Sequence, residues 1–150
     1  NPKYRPFSPY MEQVNGSSYE VEKGNFYLAG NGVEHVMGGA PLPAAMKTFT
    51  LHFTCDAVCI STNDGKENFD FLAAMDGSRK QNLIPGRLIG QVLANAWWEQ
   101  EKVLVVEMRK IETYGKEKLI FTFEENQVTI KSEDNIRFKL ETPTIIAKKK

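Results

Sequence analysis

The sequence predicts an all-β fold, an antiparallel meander that closes into a barrel or half-barrel. Three observations carry that reading. From Lys47 onward, apolar side chains recur at every second position, the period of a half-buried strand. The alternating runs are short and are separated by polar turn clusters. No stretch carries a helical apolar stripe over three turns. A long meander leaves two bare edges, and closure removes them.

Taken in order, residues 1–14 read as a linker or arm, because Pro2, Pro6 and Pro9 fix the backbone and remove donors. The β-barrel domain is expected over 15–141 and a C-terminal tail over 142–150. Gly30, Gly32, Gly38, Gly39, Pro41 and Pro43 crowd residues 29–45, which read as a long irregular loop. The Gly30-x-Gly32 pair lacks the strand-turn-helix context of a phosphate cradle. Ala44-Ala45-Met46 is expected to make a helical turn.

In the run Thr48–Phe53, Phe49, Leu51 and Phe53 share one face, while Thr48, Thr50 and His52 share the other. Thr54-Cys55-Asp56 turns the chain, and Val58 and Ile60 point inward on the next strand. Asn63-Asp64-Gly65 is a hairpin turn, because Asp and Gly tolerate positive φ. Phe69 and Phe71 alternate with Asp70. Residues 76–82 form a polar loop. Residues 88–98 give one bent strand or two short ones, with Gly90 as the bulge or kink. Glu99-Gln100-Glu101-Lys102 is a polar hairpin loop. Beyond it Leu104, Val106 and Met108 face one side, with Val105, Glu107 and Arg109 on the other. Leu119, Phe121 and Phe123 go in, Val128 and Ile130 flank Thr129, and Ser132-Glu133-Asp134-Asn135 is the last tight turn. Ile136, Phe138 and Leu140 then alternate with Arg137, Lys139 and Glu141.

Composition narrows the function classes. The chain has 150 residues, 41% hydrophobic and 25% charged, with a formal net charge of +0. That size buries a real core. A neutral balance offers no broad electrostatic footprint for nucleic acid or an anionic membrane. No apolar run approaches the ~20 residues of a spanning helix. Lys148-Lys149-Lys150 reads as a solvated end. The chain opens on Asn1, with neither an initiator Met nor a signal peptide, so it is expected to be a processed form or a piece of something longer. Cys55 and Cys59 are too few for a disulfide framework and read as free thiols. Asn15-Gly16-Ser17 fits a glycosylation sequon, a triplet common by chance. The compartment stays open.

Catalytic machinery is not visible. No serine has a lysine three residues on, there is no Gly-x-Ser-x-Gly, and Thr113-Tyr114-Gly115-Lys116 has the spacing without partners. The carboxylates Glu99, Glu101, Glu124, Glu125, Glu133 and Asp134 sit in loops as solvated tips, and none pair as an acid/base couple. His52, Cys55 and Cys59 offer three loosely spaced ligands and no fourth, so no metal is expected. No cofactor motif appears. The expectation is a non-catalytic module. Trp97 and Trp98 are adjacent, so in a strand they point to opposite faces. One belongs to the core, and the outward one marks a possible contact surface.

The order of motifs resembles a known family. Asn15-Gly16-Ser17-Ser18-Tyr19-Glu20-Val21-Glu22 resembles the opening of the C-terminal β domain in bacterial serine hydrolases of the class C β-lactamase and penicillin-binding-protein-like group. Phe49–Phe53 resembles that domain's first meander strand. Ala96-Trp97-Trp98, Val103–Arg109 and Ile111-Glu112-Thr113 resemble its Trp…Leu…Arg…Glu-Thr signature. Leu119–Phe123 with Val128-Thr129-Ile130 resembles its closing hairpin. The resemblance covers roughly residues 15–141 and implies a lipocalin-like barrel that packs beside a catalytic domain and shapes access to it. No catalytic residue carries over. The alternative is a stand-alone lipocalin-like binder of a small apolar ligand, which predicts an apolar cavity.

Overall fold

A computed structural model describes residues 5–28, 44–85, 90–111, 115–134 and 143–150, with the side chain of Asp134 excepted. Most of the expected Gly/Pro-rich loop (29–43), Leu88, Thr113, Tyr114, Ile136, Phe138 and Leu140 lie outside those residues.

One short helix and ten strands are described: α1 (Met11–Val14), β1 (Ser18–Lys23), β2 (Thr48–Phe53), β3 (Ala57–Asn63), β4 (Asn68–Ala74), β5 (Lys80–Leu83), β6 (Gln91–Gln100), β7 (Val103–Lys110), β8 (Lys116–Phe123), β9 (Gln127–Asp134) and β10 (Ile145–Lys149). The fold is all-β, and the period-two pattern is its cause. Each strand has one apolar face to bury, and only a sheet curled on itself buries all of them together. The strand order is β4-β3-β2-β1-β10-β9-β8-β7-β6-β5, with neighbours antiparallel. The ends meet where Ala74 of β4 pairs in parallel with Asn95 of β6. Nine strands thus close a lipocalin-like barrel, and β5 lies along the first half of β6.

At the β4–β5 junction the two strands share no ladder. The Asn82 amide takes its place. Its Oδ1 accepts the Leu72 backbone N–H at 2.9 Å, and its Nδ2 donates to the Leu72 carbonyl at 2.8 Å. A side-chain amide presents the same donor and acceptor as a peptide group, so Asn82 stands in for a missing strand residue.

Several boundaries differ from the sequence reading, each for a packing reason. Residues 5–17 fold beneath one end of the barrel. Tyr10 and Val14 join the core, the Trp98 N–H donates to the Arg5 carbonyl at 2.7 Å, and Lys149 Nζ donates to the Gln13 carbonyl at 3.1 Å. Ile145–Lys149, read as tail, is a strand between β1 and β9, because Ile145 and Ala147 face inward opposite Ile130 and Val128. Ala44–Met46 makes no helical turn. Met46 instead donates its N–H to the Phe26 carbonyl at 2.7 Å. β6 is one strand that runs into the expected loop as far as Gln100, with a bulge between Trp98 and Gln100. Strand β9 likewise continues through Asp134, where a turn was expected. The Asn63-Asp64-Gly65 turn forms as read, with Gly65 at φ +100°.

Candidate functional site

The barrel interior divides along its axis. At the end closed by residues 5–17, aromatic rings from opposite walls touch. Phe53 of β2 stacks on Trp98 of β6 at 5.7 Å between centroids, and Phe49 of β2 meets Phe121 of β8 edge-on at 6.1 Å. Tyr10, Tyr19 and Trp98 surround Phe123 at 5.9–6.3 Å. Phe26, from the β1–β2 connection, packs on both Phe49 and Phe121. Rings in these offset and edge-on geometries fill the space between walls. This half is a packed core.

Among the described residues, the other end is left open. A cavity of about 170 Å³ lies among Tyr27, Leu28, Ala44, Met46, Asp64, Glu67, Asn68, Phe69, Ile84 and Pro85. Four stretches meet there: the two described arms of the β1–β2 connection, the β3–β4 turn with the start of β4, and the two residues after β5. Leu28 and Ile84 are buried members of the core and also line the cavity, with half-buried Met46 and Phe69 beside them. Its floor is therefore continuous with the hydrophobic core.

The rim is acidic. Asp64 accepts the backbone N–H groups of Glu67 at 2.8 Å and Lys66 at 2.9 Å. Those bonds hold its carboxyl below the usual range, the Glu67 bond contributing most. Inside the barrel, Glu117 stands opposite Met108 on the inward face of β8 and is buried. Among the described residues, the buried polar or charged side chains are Thr62, Asn82, Glu107 and Glu117, and no arginine or lysine is buried. Glu107 faces outward, where Lys116 Nζ lies at 3.3 Å and Arg109 Nε at 3.7 Å.

The tryptophans expected to mark a contact surface are both removed from solvent. Trp98 is the inward one and is fully buried. Trp97 is outward, opposite Val105, yet only 5% exposed, with Lys118 Nζ 5.7 Å from its ring centroid. Neither presents the bare indole that the contact reading required, and neither lines the cavity. His52 is exposed on β2, Cys55 is exposed in the following turn, and Cys59 is a free thiol on β3 opposite His52. Among the described residues no group of three or more His, Cys, Asp or Glu side chains could hold a metal ion. Phe69 and Asp64 were visible in the sequence as strand and turn residues. The cavity they border was not, because its walls come from residues 28, 46, 69 and 84, which only closure of the barrel brings together.

No family model matches the chain, and neither does any curated protein. Solved structures do. Fatty-acid-binding protein 1 of Echinococcus granulosus superposes with a TM-score of 0.59 at 12% identity, covering 93% of this chain and 97% of that one. The Schistosoma mansoni fatty acid binding protein in complex with arachidonic acid gives 0.58 at 13% identity, over 93% and 96%. The fluorescent protein UnaG gives 0.58 at 10%, over 93% and 98%. At such identities the likeness is one of fold, and it extends over nearly the full length of each.

This overturns the resemblance to the C-terminal β domain of class C β-lactamase-like hydrolases, and a catalytic domain as partner loses its support with it. The stretches that suggested it have a simpler origin. Ala96–Trp98 and Val103–Arg109 are the two arms of the β6–β7 hairpin, and Leu119–Phe123 with Val128–Ile130 is the β8–β9 hairpin. Alternating apolar residues with polar turns are common to antiparallel barrels at large, so these stretches specify a barrel and not one family of barrels.

Proposed function

We propose that the chain is a non-catalytic binder of a small apolar ligand, held at the open end of the barrel. The observation that carries this reading is the 170 Å³ cavity floored by Leu28, Met46, Phe69 and Ile84. An apolar cavity of about 150 Å³ accepts a benzene ring, so this one suits a ring or one end of a longer chain. Concave apolar sites at barrel mouths are a common place for such ligands. That structures of the same fold are named as fatty-acid-binding proteins supports the class of ligand.

The test is binding of the neutral lipophilic fluorophore N-phenyl-1-naphthylamine. Saturable enhancement of its emission is expected, and Ile84→Lys, which puts an ammonium on the floor, should weaken binding by about tenfold or more. Absence of saturable binding by the wild type would sink the reading. Intrinsic tryptophan emission is a poor reporter, because Trp98 lies in the packed end and Trp97 outside the barrel.

A further inference from the structure

We propose that Phe26 sets the depth of the apolar site: it stops a ligand at the open end and limits the length of chain that the barrel takes in. The inference rests on the binding reading above and names the residue that decides how large a ligand the site admits. Phe26 belongs to no strand of the wall. It comes from the β1–β2 connection, where it forms an isolated antiparallel bridge with Met46, its carbonyl accepting the Met46 N–H at 2.7 Å. Met46 lines the cavity, and so do Tyr27 and Leu28, which follow Phe26 in the chain. The Phe26 ring itself is fully buried and reaches the aromatic layer of the closed end. Its centroid lies 5.3 Å from Phe49 of β2 and 6.4 Å from Phe121 of β8, in edge-on contact with both. Phe26 therefore joins the cavity floor to the packed core.

The rings on its far side are fixed by the sheet. Phe49 is paired on one side with Tyr19 and on the other with Thr62, and Phe121 with Leu104 and Ile130. Those two rings meet each other at 6.1 Å and cannot part without moving the walls. Phe26 is held by its single bridge to Met46 and fills space that no strand residue fills. Removing its ring leaves the walls in place and extends the apolar space below the cavity. Apolar space of about 150 Å³ inside a protein stays dry and accepts a benzene ring, so the added room is open to hydrocarbon. Collapse of the neighbours would recover part of it, and the ladders on either side of Phe49 and Phe121 oppose that collapse.

The experiment displaces bound N-phenyl-1-naphthylamine with the neutral alcohols hexan-1-ol and decan-1-ol. The quantity read is the ratio of their half-displacing concentrations, hexan-1-ol over decan-1-ol. The rim is the same in wild type and variants, so the ratio compares floors alone. Phe26→Ala should raise it about tenfold or more, because each further methylene that enters apolar space is worth about three- to fourfold. Phe26→Leu, which frees less room, should raise it about two- to threefold. Phe123→Leu is the control. Phe123 is packed among Tyr10, Tyr19 and Trp98 at the closed end, so this change loosens the core and should leave the ratio where it was. Thermal melting confirms that each variant is folded. An unchanged ratio in folded Phe26→Ala, or an equal rise in Phe123→Leu, would overturn the inference while leaving the binder reading intact. Should Phe26→Ala fail to fold, Phe26→Leu decides on the same terms. Failure of the fluorophore to bind the wild type removes the binder reading and this inference with it.

Discussion

The two ends of the barrel are built from the same alternation of residues and come out differently. At the closed end, large aromatic side chains project from β1, β2, β6 and β8 at one level, and residues 5–17 lie beneath them. The rings meet across the axis and leave no width for a ligand. At the open end, the facing residues are Leu28, Met46, Phe69 and Ile84, and a cavity survives between them. The strand pattern decides that there is an inside. The size of the side chains at each level decides whether that inside is core or site.

The contrast can be broken most severely at the centre of the packed end. Phe121 contacts Phe26, Phe49 and Phe123 and is fully buried. Phe121→Ala should cost about 3–5 kcal/mol of stability, read by urea denaturation, because the surrounding rings come from β2, β8 and the β1–β2 connection and cannot all collapse into the space. Phe69→Ala, at the half-buried floor of the cavity, should cost about 1–2 kcal/mol and weaken fluorophore binding. Equal losses of stability at the two sites would mean that the open end is as much a part of the core as the closed one.

A second expected effect belongs to the closed end alone. Burial, with a smaller contribution from Tyr10, pushes the Tyr19 hydroxyl up to about 12. The unfolded chain has a tyrosine of ordinary value 10.0, so it releases this proton first as pH rises. Stability is therefore fully present below pH 10 and falls as pH rises through 10 towards 12, by roughly 2–3 kcal/mol. In Tyr19→Phe that part of the alkaline loss should vanish. At pH 7 the same change should cost little, since the buried Tyr19 Oη has no protein partner. A large neutral-pH loss would show that the hydroxyl is held, for instance by a buried water.

The closed end was the more legible of the two in the sequence. Phe49, Leu51, Phe53, Leu104, Val106, Leu119, Phe121 and Phe123 announce their face by period two, which is local information. Which tryptophan faced in was not decidable, since alternation says only that the pair divides. It was settled by the pairing of Trp98 with Leu104. The last strand was missed, and the first was read only through the resemblance, for related reasons. Tyr19 and Val21 form too short a run to stand out. Ile145 and Ala147 are followed by three lysines, so β10 looks like a charged end until β1 and β9 are set on either side of it. The cavity lay beyond sequence reading because it is a property of closure. Residues 28, 46, 69 and 84 have no periodic relation, and Leu28 and Ile84 sit just outside strands, where an apolar residue carries no signal of its own.

The seam between β4 and β5 gives the smallest and most local expectation. Asn82 is buried, and its amide serves both backbone groups of Leu72, while β5 pairs normally with β6 on its other side. Asn82→Ala removes one donor and one acceptor. Leu72 is 40% exposed, so water can recover part of what its backbone loses, and the cost should be about 1–2 kcal/mol rather than the sum for two fully buried groups. The sharper readout is amide exchange at Leu72, which should speed up in Asn82→Ala while amides of the β8–β9 hairpin stay protected. Asn82→Asp separates the two bonds. Its carboxylate still accepts the Leu72 N–H but sets a second oxygen against the Leu72 carbonyl. Leu72 exchange should then remain slow even as stability falls. Fast exchange in both variants would show that β4 and β5 are held together by the neighbouring strands and not by this side chain.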